Sequence, residues 1–210
     1  MSTTYLTLGS YMYWIMLTGV AVSAAAGALE AGKKRFDLFG IIIVAIAAAL
    51  GGGSVRDMML GRAVFWAKDQ TYLLVAIIAA LITFFIARRI RVSSQVFQVP
   101  DAVGLSLFAI AGTNTAWQMD VPWLVASFMG VVTGVVGGVI RDVLCNEEPL
   151  VFQGTLYATA AWAGSLIYIL LRSQYIDAMI AAFVASGFIL LIRLGAIYWN
   201  IGLPTFRIRD

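Results

Sequence analysis

The sequence predicts an all-α transmembrane protein: seven helices, arranged as two inverted three-helix repeats followed by a seventh helix. Three observations predict it. The chain is 61% hydrophobic and only 12% charged, about half the charged share of a typical soluble domain, so it cannot cover a water-exposed surface. Its apolar residues fall into runs of about 20, the length that crosses a bilayer. A polar motif, Gly-Gly-x-x-Arg-Asp, occurs twice, at 52–57 and 137–142.

The first apolar run is Tyr11–Leu29, ended by Glu30 and the basic stretch Lys33-Lys34-Arg35. The second runs from Phe36 to about Leu60 and contains Gly51-Gly52-Gly53. Thr71–Ala87 is the third, stopped by Arg88 and Arg89. Pro100, a residue suited to the first helical turn, opens a fourth that reaches about Trp117. Trp123–Cys145 is the fifth, containing Gly137-Gly138. Phe152–Leu171 and Ile176–Trp199 complete the set. The first run has no basic segment before it and no cleavage site after it, so no signal peptide is expected. Connections are short, and residues 1–210 read as one membrane domain with the bilayer as its principal partner.

Seven spans place the termini on opposite sides. With the N-terminus outside, the inner side receives Lys33, Lys34, Arg35, Arg88, Arg89, Arg91, Arg207 and Arg209, and the outer side only Arg62, Lys68 and Arg172. The positive-inside rule therefore predicts N-out, C-in. Trp14, Trp66, Trp117, Trp123 and Trp199 lie near span ends, where interfacial anchors belong.

Shifting the chain by 85 residues superposes the two motifs without a gap. Gly19 then meets Gly104, Ala26-Gly27 meets Ala111-Gly112, Tyr72 meets Tyr157 and Leu81 meets Leu166. The repeats cover about 10–90 and 99–172, with the extra helix at about 176–199. Three spans per unit make the second enter from the opposite side, an architecture in which broken helices form solute sites at the repeat interface.

Two readings of the glycines stand side by side. A break would free carbonyl oxygens, which in a membrane must face protein or a wet cavity and can serve as cation ligands. Close packing is the other: Gly130, Gly134 and Gly138 are spaced by four, and Ala45, Ala49 and Gly53 are their counterparts, a small-residue face.

Arg56, Asp57, Arg141 and Asp142 are costly within a bilayer, about 2.5–3.5 kcal/mol each on insertion scales, and so are functional candidates by default. A packing salt bridge is the alternative. At about 1.5 Å per residue, Arg56 lies about 30 Å from Phe36 and Arg141 about 27 Å from Trp123, so straight helices bring both near the far interface. Thr18, Ser23, Asn114 and Thr133, with Ser106 and Thr113, are further polar candidates for a pore wall. Arg193 is expected to snorkel to the interface, and Glu147-Glu148 to form a solvated loop or vestibule.

No histidine is present and Cys145 is the single cysteine. Zinc sites, Ser-His-Asp catalysis and an internal disulfide are excluded. No enzyme, cofactor, metal, nucleic-acid or soluble-protein partner is expected.

Gly51-Gly52-Gly53-Ser54-Val55-Arg56-Asp57 and Gly137-Gly138-Val139-Ile140-Arg141-Asp142, on the second and fifth of seven spans, resemble the prokaryotic branch of the trimeric intracellular cation channel (TRIC) family. The resemblance covers about residues 10–200. It implies a homotrimer in the prokaryotic inner membrane, with one potassium-conducting pore per protomer lined by kinked second and fifth helices. Gly51, Gly52, Gly53, Arg56, Asp57, Gly137, Gly138, Arg141 and Asp142 would then shape or gate the pore. The lysine-containing lipid motif of the animal members has no counterpart here. Bacterial relatives are also read as glycine transporters, and a secondary transporter of a small solute stays open beside the channel.

Overall fold

The computed structural model describes residues 2–89 and 96–204, so Arg91, Arg207 and Arg209 lie outside the described residues. Those residues form an all-helical bundle of seven long helices: α1 Ser2–Gly32, α2 Leu38–Met59, α3 Thr71–Ala87, α4 Gln98–Trp117, α5 Trp123–Leu144, α6 Ala158–Ser173 and α7 Ala178–Trp199. A one-turn helix, Phe65–Lys68, precedes α3, and a 3-10 turn, Leu150–Phe152, precedes α6. Four helices are long and apolar enough to cross a membrane, over Tyr11–Gly32, Leu38–Met59, Trp123–Leu144 and Ala178–Trp199, and Thr71–Ala87 is apolar but shorter. Many large apolar side chains point outward, among them Trp14, Phe39, Phe183, Leu191 and Trp199. Such a surface suits lipid rather than water.

Local chemistry sets the helix ends. Asp37 caps α2 by accepting from Gly40 N at 2.7 Å, and Asp177 caps α7 by accepting from Met179 N at 2.9 Å, each satisfying an orphan amide of the first turn. Pro100 lies in the first turn of α4, where its missing N–H leaves no bond unmade. The C-terminal ends of α2 and α5 are built alike. After each comes a left-handed residue, Gly61 at φ 64° and Asn146 at φ 51°. The next amides, Arg62 N and Glu147 N, turn back to Asp57 O and Asp142 O, both at 2.9 Å. This is the reverse-turn cap that closes many helices. Arg35 and Asp120, also 85 apart, both have positive φ, 58° and 56°. The repeat is thus written into backbone conformation as well as sequence.

The interior is held by close approach. Ala24, Ala45, Ala76, Ala109, Ala181 and Ala185 are buried completely or nearly so. Small side chains let helix backbones come together, which is how helices bind where lipid offers no hydrophobic contrast. One cluster joins α1, α2 and α3 through Val20, Ala24, Val44, Ala45, Tyr72 and Ala76. A second joins α4, α5, α6 and α7 through Leu105, Ala109, Val135, Ala161, Ala182 and Ile189.

The sixth apolar run starts later than the sequence suggests. Residues 153–157 form an irregular segment, with Gly154 at φ 74° and Thr155 bridged to Gly202, and α6 begins at Ala158.

Candidate functional site

The two glycine motifs lie where α2 crosses α5. A Cβ built on Gly52 would strike Thr133 O, and one on Gly137 would strike Ala48 O. The pairings 52 with 133 and 48 with 137 run in opposite senses, so the helices are antiparallel here. Both α2 and α5 pass through their glycines as continuous helix. Of the two readings, unwinding with freed carbonyls as cation ligands is therefore corrected. The absent side chains are used for backbone-to-backbone contact, and the helical hydrogen bonds stay satisfied within each helix. Gly51 faces Ile140, Gly53 leaves room for the Phe65 ring, and Gly138 leaves room for the Tyr157 hydroxyl.

Beyond this crossing the helix pair carries an ion cluster at either end. Measured along antiparallel helices at about 1.5 Å per residue, Arg56 and Arg141 stand about 18 Å apart. In the first cluster Arg56 Nε donates to Asp57 Oδ1 at 2.9 Å, and Arg62 Nε reaches the same oxygen at 3.4 Å. Asp57 Oδ2 accepts from Phe65 N at 2.8 Å. In the second, Arg141 Nε donates to Asp142 Oδ1 at 2.7 Å, and Arg141 Nη1 also pairs with Asp101. Asp142 Oδ2 accepts from Leu150 N at 3.0 Å. Each aspartate thus ties the end of its helix to the segment eight residues on. Arg56, Asp57, Arg141 and Asp142 are all buried.

The clusters differ in one respect that matters for charge. Asp57 serves two guanidiniums, whereas Arg141 serves two carboxylates. Two substitutions between the repeats produce this: Met16 stands 85 residues before Asp101, and Arg62 stands 85 before Glu147. Arg56 Nη1, Arg141 Nη2 and Asp101 Oδ2 are buried with no hydrogen-bond partner among the described residues.

Asp101 and Arg193 were not assigned to the site from sequence. Asp101 had a usable signal, an ionisable residue inside an apolar run, but it hid behind the helix-start reading of Pro100. Arg193 is corrected from a snorkelling residue to a buried one. Its guanidinium lies 4.6 Å from the Tyr157 ring centre and donates to Leu156 O at 3.2 Å, because the irregular segment before α6 offers it a carbonyl inside the bundle.

The polar candidates are scattered. Thr18 is exposed on the outer face of α1. Ser23 is buried against Gly104. Thr113 and Thr133 donate to carbonyls of their own helices, at 2.8 and 2.6 Å, and Ser106 donates to Val103 O. Asn114 accepts from the Tyr168 hydroxyl at 2.8 Å. Such local bonds leave these groups satisfied within the protein.

Glu147 and Glu148 border a cavity of about 230 Å³ with Glu30, Lys33 and Asp142. Lys34 Nζ meets Glu147 Oε1 at 2.5 Å, linking the turn after α1 to the turn after α5. The hydrogen bond to Lys34 holds the Glu147 carboxyl below its ordinary range, and the bond to Glu147 raises the Lys34 ammonium. A depressed carboxylate stabilises above its ordinary pKa of about 4.3 and loses that contribution as pH falls through the depressed value. Protection of the 33–35 amides, relative to their intrinsic exchange rates, should therefore be unchanged between neutral pH and about pH 5, then fall on further acidification. Glu147→Gln should show the faster exchange at neutral pH, after correction for intrinsic rates. Equal protection in the two proteins would show that the pair does not hold the turns.

A family model described as glycine transporter matches residues 13–88 and 98–173, two segments that begin 85 residues apart. The UPF0126 inner membrane protein YadS of Escherichia coli K12 is 40% identical over 202 residues, 95% of this chain and 98% of that protein. A UPF0126 membrane protein of Vibrio cholerae is 41% identical over 199 residues, 94% of this chain and 83% of its own. Among solved structures, the TRIC trimeric intracellular cation channel orthologue of Rhodobacter sphaeroides superposes with a TM-score of 0.88 at 31% identity, covering 91% of this chain and 100% of that one. A prokaryotic TRIC channel crystallised in 0.5 M KCl gives 0.86 at 28% identity, covering 92% and 99%.

Proposed function

The chain belongs to the family whose model is described as glycine transporter and is a relative of the prokaryotic TRIC channels, and from that premise we propose that it is a homotrimeric channel for monovalent cations, potassium foremost, in the inner membrane. Each protomer carries its own pore, bordered by α2 and α5. The observation that carries this reading is the TM-score of 0.88 to a TRIC channel orthologue over nearly the whole of both chains. The antiparallel contact at Gly52 and Gly137 supports an inverted pairing of two three-helix repeats, with α7 outside them. That contact is the waist of the α2–α5 pair, and the conduction path runs beside it. Gly51–Gly53 and Gly137-Gly138 act by letting the waist form. Arg56, Asp57, Arg141 and Asp142 set the field at its two ends. Recording from purified protein in planar bilayers tests the proposal, which expects unitary potassium-carried currents.

A glycine transporter is the second reading, favoured by the description of the matching family model and by the familiarity of inverted repeats among secondary transporters. Saturable, coupled uptake of labelled glycine into proteoliposomes without unitary currents would establish it instead.

Assembly and orientation have their own tests. Native mass measurement in mild detergent should give three times 22.7 kDa; a conducting monomer would remove the trimer from the mechanism. The basic-residue bias calls for an N-out, C-in arrangement. A cysteine appended after Asp210, in a Cys145→Ser background, should react only with reagents supplied from the cytoplasmic side, and labelling from outside alone would reverse the orientation.

A further inference from the structure

We infer that the two ion clusters make conduction directional, so that cations pass more readily from the Asp101 end of the α2–α5 pair to the Arg56 end than back. This rests on the channel reading and adds a property that the reading does not contain.

The inference starts from the charge count. Arg56, Asp57 and Arg62 carry one positive charge in excess, and Asp101, Arg141 and Asp142 carry one negative charge in excess. The backbone around both clusters is the same, down to the left-handed residue and the turned-back amide. The opposite signs therefore arise from side chains alone, Met16 against Asp101 and Arg62 against Glu147. Because α2 and α5 are antiparallel, the excess charges lie at opposite ends of the pair.

Other charges modify this field without reversing it. Lys34 and Glu147 cancel in their ion pair, as do Lys33 and Glu30, 2.6 Å apart. Arg35, Arg88 and Arg89 are on the surface, where salt screens them beyond about 8 Å at about 0.15 M. Among the described residues, Arg193 is a further buried cation on this side of the bundle. It stacks over the Tyr157 ring, 4.6 Å from the ring centre, and offsets the negative excess of the second cluster without making that end positive, so the Arg56 end stays the more positive of the two. Low-dielectric surroundings keep the buried charges effective at distances where exposed ones are not, and Arg62, only partly exposed, is held 3.4 Å from the buried Asp57 carboxylate.

A negative mouth concentrates cations and a positive one depletes them, so entry from the two sides is unequal. A unit charge within about 8 Å of the path changes local cation occupancy by about two-fold even at the dielectric constant of water. With both ends contributing, the ratio of currents at opposite voltages should be about two- to four-fold in symmetric KCl near 0.15 M.

Arg62→Gln is the leading variant, because Arg62 is partly exposed, with 36% of its side chain accessible, and its removal leaves the Arg56–Asp57 pair neutral. It should bring the current ratio about two-fold closer to unity. Asp101→Asn should shift it the same way from the other end, and Arg193→Gln should increase it. Sidedness is fixed with Arg62→Cys in a Cys145→Ser background, modified from one chamber by a cationic thiol reagent, which restores the positive charge at position 62. The chamber that reacts faces the Arg56 end, and the larger cation flow should come from the opposite chamber. Equal currents at both polarities in the unmodified protein, the larger flow coming from the Arg62 side, or a ratio unmoved by Arg62→Gln would each overturn the inference while leaving the channel intact. Absence of unitary currents would remove the channel reading, and directionality with it.

Discussion

Asp57→Ala is expected to be among the most damaging single substitutions in this chain, lowering stability by about 3–5 kcal/mol, the range found when one partner of a buried ion pair is removed. Asp57 is the carboxylate that both Arg56 and Arg62 reach, and it also accepts from Phe65 N. Its loss would leave a buried guanidinium uncompensated and free the segment that carries Phe65 against Gly53. Asp142→Ala should cost less, because Asp101 still pairs with Arg141. The order Asp57 before Asp142 is the informative part. Thermal unfolding in detergent, followed by loss of the monodisperse species, gives both values. Asp57→Asn retains an oxygen for Phe65 N and should fall between wild type and alanine. Indistinguishable midpoints for Asp57→Ala and wild type would show that the cluster does not hold the end of α2.

Gly137→Leu and Gly52→Leu are expected to fail for a different reason. In each case the new Cβ meets a backbone carbonyl of the opposing helix, Ala48 O or Thr133 O. A flexible side chain can move aside, whereas a hydrogen-bonded helix carbonyl can yield only if the whole crossing opens. Overpacking in a well-packed core costs about 1–3 kcal/mol, and a backbone clash belongs at or above the top of that range. Alanine already supplies the clashing atom, so Gly137→Ala should show most of the effect. Gly187→Ala is the control: nothing lies within 4 Å of its Cβ position, and alanine gains about 1 kcal/mol of helix propensity over glycine. It should leave stability unchanged or raise it. If Gly137→Leu assembles like wild type, the α2–α5 waist is wrong. If it assembles but no longer conducts, the same contact controls the path as well as the fold.

The fold class was legible because bilayer thickness is a severe constraint: runs of about 20 apolar residues have few other uses. The repeat was legible because Gly-Gly-x-x-Arg-Asp combines residues that an apolar helix rarely carries, so its recurrence 85 residues on is informative where alanine matches are not. Conformation followed it. The positive-φ pairs Arg35 with Asp120 and Gly61 with Asn146 lie at that same offset, one pair at each end of α2 and of α5.

Tertiary structure decided what those residues do. In sequence a run of glycines fits either an unwound helix or a close crossing, since glycine permits both. Only the position of Thr133 O and Ala48 O beside Gly52 and Gly137 selects the crossing. Arg193 reads as a surface cation from its place in α7, and the carbonyl of Leu156 that draws it inward belongs to a segment 37 residues away. The same holds for charge. The Arg-Asp motifs are identical and electrically neutral as written, and their difference arises from Asp101 and Arg62, which the motif does not include. Composition and periodicity therefore fixed the helices and their doubling, because these depend on each residue's own solvation and backbone preference. Partners across the bundle fixed the contacts and the sign of each cluster, because hydrogen bonds and ion pairs depend on which groups the folded chain brings within about 3 Å.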